Sequence, residues 1–119
     1  MSISTSTEQH LSAFVDAFVV PARRERWKYL LARRRKGALR DSTRLMGHLD
    51  MRLSKQVDGN FELTLNTQGV FYDFYHEPRL ISLEKAEDAS RNQDAILSVI
   101  PGKLAVYWSH EGWSWLFRS

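Results

Sequence analysis

AILSVI (95–100), Pro101-Gly102, KLAVYWS (103–109), His110-Glu111-Gly112 and WSWLFR (113–118) follow one another without a gap, and this run decides the fold. AILSVI is an unbroken apolar run that fits a strand buried on both faces or a buried helical turn, and its Ile and Val content favours the strand. Pro101 and Gly102 suit the two centre positions of a type II turn, where Pro fixes φ and Gly supplies φ > 0. The chain therefore reverses there. A second reversal at 110–112 pairs the last two runs as an antiparallel hairpin. Alternation places Trp113, Trp115 and Phe117 on one face, leaving Trp108 and Leu116 outside unless something covers them.

Upstream of this run, Ser82 to about Arg91 reads as a short inserted helix, with Ser82 as N-cap and Glu84 in the positive first turn. VFYDFY (70–75) reads as a strand that follows a Gln68-Gly69 turn and is stopped by His76-Glu77-Pro78. LSKQV (53–57) and FELTLNT (61–67) flank Asp58-Gly59-Asn60, a hairpin signal. A three-residue loop pairs Val57 with Phe61 and Leu53 with Leu65 on one face, and register follows the buried face.

The first third of the chain changes period. Leu11, Phe14, Val15 and Phe18 form one helical stripe, with capping-box patterns at Thr5/Glu8 and Ser6/Gln9. Residues 1–7 are small and polar and are expected to fray. The helix should end near Val20, before Pro21, which opens a second helix. If that helix runs on through Gly37, Trp27, Leu31, Ala38 and Leu45 make its core stripe. Arg26, Tyr29, Arg33, Lys36 and Arg40 then lie opposite, within about 80° of arc. The expected architecture is α+β: two or three N-terminal helices on one face of a mainly antiparallel sheet of about five strands, with one inserted short helix.

The chain of 119 residues, 43% hydrophobic and 12% aromatic, suits a single domain spanning 1–119. It has no Cys, which excludes disulfides, thiolate metal sites and Cys nucleophiles. No run approaches the roughly 18 to 20 apolar residues of a membrane helix, so the sequence reads as soluble, cytoplasmic and without a membrane partner. Between Arg23 and Arg40 stand nine Lys/Arg and one acid, a local +8 in a chain of net +3, so the remainder carries −5. The basicity is confined to one stretch.

Three constellations are candidates for function. The face Arg26, Tyr29, Arg33, Lys36 and Arg40 fits a protein partner with an acidic surface. It also fits nucleic acid, with phosphates neutralised and bases stacked on the tyrosine. An ordinary solvated face, or one covered by the chain's own acids, is the structural alternative. His48, Asp50 and Arg52 are candidate catalytic groups; the commoner reading has Asp50 and Arg52 pairing or capping where helix gives way to strand. His76, Glu77, His110 and Glu111 sit at two strand ends and are candidate metal ligands, without the HExxH order of a known zinc motif. No GxGxxG, Walker or GxSxG pattern occurs, so no cofactor is expected. An exposed Trp beside the C-terminal strands would mark an interface, and a homodimer through an edge strand is the form that could take.

RRERWKYLL (23–31), HLDMR (48–52) and SVIPGKLAVY (98–107) resemble, in order and spacing, a family of small uncharacterised bacterial proteins, with Met51 where that family's pattern has proline. The resemblance implies one coherent α+β domain and no activity. The leading expectation is a non-enzymatic interaction module whose basic helical face binds an acidic protein. Sequence-tolerant nucleic-acid binding is the second reading, and a small metal-dependent or hydrolytic enzyme the third.

Overall fold

The computed structural model describes residues 3–33, 45–57, 61–73 and 77–119. Helices α1 (Ile3–Phe18), α2 (Arg24–Arg33) and α3 (Leu45–His48) precede strand β1 (Ser54–Val57), and α4 (Leu83–Ala89) is inserted between strands. The other strands are β2 (Gln68–Tyr72), β3 (Arg79–Ser82), β4 (Ala95–Ile100), β5 (Leu104–Trp108) and β6 (Ser114–Arg118). They form one antiparallel sheet in the order β1-β6-β5-β4-β2-β3. The α+β architecture is as expected, with six strands where about five were anticipated.

The C-terminal run behaves as its sequence dictates. Gly102 has φ +70° and Lys103 N–H donates to the Ile100 carbonyl at 2.9 Å, closing the Pro101-Gly102 turn. β4, β5 and β6 then pair as neighbours. Ser82 caps α4 by accepting from the Lys85 amide at 3.3 Å.

The expected hairpin of 53–57 with 61–65 does not form. β1 pairs instead with β6, Ser54 opposite Phe117 and Val57 opposite Ser114. Four antiparallel steps separate β1 from β2, so the two run parallel, and parallel strands need a crossover instead of a tight turn. Residues 61–67 belong to that crossover. Glu62 at φ 60° interrupts the extended run, and a turn closes where Thr67 N–H meets the Thr64 carbonyl at 3.0 Å. Phe61 is buried, edge-on against Trp108 at 5.8 Å.

Gly69 also departs from expectation, lying inside β2 and not in a turn. A Cβ there would stand 2.7 Å from the Ser98 carbonyl oxygen of β4, so only glycine permits this approach. β3 is a further addition. It and β4 flank β2 and run parallel, and α4 supplies their crossover. α1 starts at Ile3, ahead of the Thr5 and Ser6 patterns.

The helices were expected on one face, and they occupy both. Phe14, Val15 and Phe18 of α1, with Trp27 of α2, pack on Val70, Tyr72, Ile96, Tyr107 and Phe117. On the other face Leu83 and Ala86 of α4, with Phe61, pack on Phe71, Leu97, Val106, Trp108 and Leu116. Each fully buried side chain of this kind contributes about 1.5–3 kcal/mol. Trp108 and Leu116 are thus core residues, while Trp113 is 54% exposed. The continuity of α2 through Gly37, with Ala38, lies outside the described residues.

Candidate functional site

The junction between α1 and α2 is pinned to the segment that follows α3. Val19 and Leu49 form an isolated antiparallel bridge. Val20 N–H donates to the His48 carbonyl at 2.9 Å and Asp50 N–H to the Phe18 carbonyl at 2.7 Å. Pro21 ends the first helix and starts a 3-10 turn, Pro21–Arg23, that leads into α2. Trp27, one turn into α2, is buried against Phe14 with ring centroids 6.3 Å apart. His48 is thereby held beside the basic helix.

His48 Nδ1 and the side chains of Asp50 and Arg52 are engaged structurally. The Trp27 indole N–H donates to His48 Nδ1 at 2.9 Å. Asp50 accepts from the Arg52 backbone amide and from both arms of its guanidinium, at 3.0 Å each for Nε and Nη2. It caps the 3-10 turn Met51–Leu53, the capping role that a sequence reading allows for this pair. The Arg52 hydrogen bonds hold the Asp50 carboxyl below its usual range, and Arg24 adds to the effect. Burial, and then the Arg23 charge, push the His48 imidazole below its ordinary value. This cluster positions a corner.

Arg26 and Tyr29 of α2 are exposed, and so is Arg23 in the 3-10 turn that precedes it. The Arg26 guanidinium lies over the Tyr29 ring, 5.8 Å from its centroid, and Tyr29 is 52% exposed. Among the described residues neither Arg23 nor Arg26 has a carboxylate within ion-pair distance. Lys28, by contrast, pairs with Asp16 of α1 at 2.7 Å, and Arg24 Nε donates to the Val19 carbonyl at 2.9 Å. The acid that an ion pair places against α2 is Asp16 of α1. Arg33 closes α2, and Lys36 and Arg40 lie outside the described residues.

The strand-end candidates share a place in the topology. Pairing puts Tyr72, Ala95, Trp108 and Ser114 at one end of the sheet, so the segments holding Glu77 and Glu111 emerge there, separated by β4. His76 lies outside the described residues. His110 instead turns Nδ1 onto the buried Asp94 carboxylate at 3.0 Å, and its backbone amide binds the same oxygen at 2.7 Å. That hydrogen bond raises the His110 pKa above its ordinary value. Among the described residues no three His, Cys, Asp or Glu side chains gather as a metal site.

Two features escape a sequence reading. A groove of about 600 Å³ opens between α4, Leu65 and the β5–β6 loop, floored by Trp108 and rimmed by charges of both signs, Glu84, Asp88 and Arg91 among them. The other is the cluster of Arg23, Trp27 and His48, whose members lie 21 and 25 positions apart and carry no local pattern. The fold is an α+β domain built on a six-stranded antiparallel sheet. No protein-family model, curated protein or solved structure matches the chain. Among the described residues no helix is long and apolar enough to cross a membrane.

Proposed function

We propose that this protein is a non-catalytic interaction module that docks an acidic protein surface on the outer face of α2, through Arg26, Tyr29 and Arg33. The observation that carries this reading is the contrast within one helix. Lys28 and Arg24 are engaged by the protein's own acid and carbonyl groups, while Arg26 rests on an exposed tyrosine with no carboxylate within ion-pair distance among the described residues. A guanidinium lying over an aromatic ring is held for a second contact and loses little freedom on binding.

Nucleic acid is the second reading, favoured by the same Arg26/Tyr29 pair, which offers a base a stacking platform. Titrating the protein with poly-glutamate, and with labelled DNA and RNA at two salt concentrations, separates the two. Saturable poly-glutamate binding that Arg26→Glu and Arg33→Glu abolish without unfolding supports the protein partner. Tighter binding to nucleic acid, with a steep loss at higher salt, replaces it with the second reading. No binding to either polyanion overturns both.

A further inference from the structure

We propose that Arg23 and His48 form an oxyanion-binding subsite at the start of α2, taking one carboxylate or phosphoryl oxygen between the guanidinium and the imidazole Nε2–H. An indole N–H can only donate, so the 2.9 Å contact from Trp27 obliges His48 Nδ1 to be an unprotonated acceptor. A neutral imidazole must then carry its proton on Nε2. That nitrogen stands 3.5 Å from Arg23 Nη1, and a guanidinium has no acceptor. Two donors therefore face each other, and among the described residues nothing accepts from either, a pair that an anionic oxygen would satisfy twice. Such charge-assisted bonds are the strong class of hydrogen bond.

The surroundings suit an anion. Burial and Arg23 both hold His48 in the neutral state that this tautomer requires. Arg24 is nearby, tethered to the Val19 carbonyl, and Asp50, the acid of the adjoining segment, is occupied by Arg52. Arg23 is exposed and His48 partly so, which leaves a path for the ligand. The ring itself cannot swing freely, because Trp27 and the Val20 amide hold its side chain and backbone. The subsite is therefore built before any ligand arrives. It rests on these contacts alone and stands whether or not Arg26 and Arg33 bind an acidic protein.

Nitrogen-15 spectra of the full chain, read at the His48 ring, test the subsite in two ways. Without ligand, above the His48 pKa, the proton is expected on Nε2; a proton on Nδ1 overturns the proposal. Inorganic phosphate is then titrated at constant ionic strength against chloride, with acetate in parallel. A saturable shift at His48 Nε2 beyond that given by chloride is expected, at least about tenfold weaker in Arg23→Gln and unchanged in Arg26→Gln. A response to phosphate much stronger than to acetate assigns a phosphoryl group, and comparable responses assign a carboxylate. If phosphate and acetate move His48 no more than chloride does, or Arg23→Gln binds as the parent does, the proposal fails. Arg23 is exposed, so its replacement leaves the core intact; equal melting temperatures verify this.

Discussion

At the scale of single residues, the hydrogen bond between Trp27 and His48 sets a protonation state as well as a packing arrangement. Trp27→Phe keeps an aromatic ring in the α1–α2 core but removes the indole N–H that obliges Nδ1 to accept. The lost bond should cost about 1 kcal/mol, in addition to the packing lost with the larger ring. A titration of His48 by NMR should find its pKa below the ordinary 6.5 in the parent and closer to it in Arg23→Gln. If Arg23→Gln leaves that pKa where it was, the two side chains are not in contact in solution. His110 should behave in the opposite sense. Its pKa should lie above 6.5 and return toward it in Asp94→Asn, since the Asp94 hydrogen bond and charge are the main causes of the rise. None of this was legible in the sequence. Trp27, His48, Asp94 and His110 lie in separate segments, and only the folded chain puts 27 against 48 and 94 against 110.

At the scale of elements, Gly69 separates what the sequence shows from what it hides. A glycine beside Gln68 reads as a turn, yet in β2 it is required because the β4 backbone passes within 2.7 Å of where a Cβ would be. Gly69→Ala must push β2 from β4 at the centre of the sheet and should destabilise by about 1–3 kcal/mol in urea unfolding. A variant as stable as the parent would show that the strands can separate without cost. Ser82→Ala, which removes only the α4 cap, should cost about 1 kcal/mol by the same measurement. The cap was legible because its signal is local, a serine directly before its helix. The Pro101-Gly102 turn was legible for the same reason. The pairing of β1 was not, since Ser54 meets Phe117 across most of the chain and an alternating run in 61–67 offered a nearer partner. Phe61 shows which term prevailed: its burial against Trp108 fixes the crossover, and the Asp58-Gly59-Asn60 signal alone could not make a hairpin. Of the five residues whose spacing predicts one basic face, Arg26 and Tyr29 are exposed side by side, while Lys36 and Arg40 lie outside the described residues.

At the scale of the whole molecule, the three described histidines divide the pH axis between them. His10 of α1 reaches across the first core to Ser98 of β4, with Nδ1 2.8 Å from the hydroxyl and the ring buried. Burial lowers its pKa, as burial and then Arg23 lower that of His48. For both, the unfolded chain binds a proton more readily than the folded one. Stability is then lost as pH falls from about 6.5 toward the folded pKa, because ν_U exceeds ν_N throughout that window. Tyr72, which also packs in this core, adds no charge there, since burial pushes its phenol far above its usual range. His110 has the opposite sign. Its raised pKa gives stability that is complete below 6.5 and is lost as pH rises through the folded value. The windows adjoin without overlapping, so these groups together predict a melting temperature that peaks near pH 6.5 and falls on either side. Thermal unfolding across that range checks the shape, and two variants separate its arms. His10→Gln, which can still hydrogen-bond Ser98, should flatten the acid side. Asp94→Asn should flatten the alkaline side and leave the acid side alone. If His10→Gln leaves the acid slope unchanged, α1 is not held to the sheet by a neutral buried imidazole, and protonation of His48 alone must account for the loss.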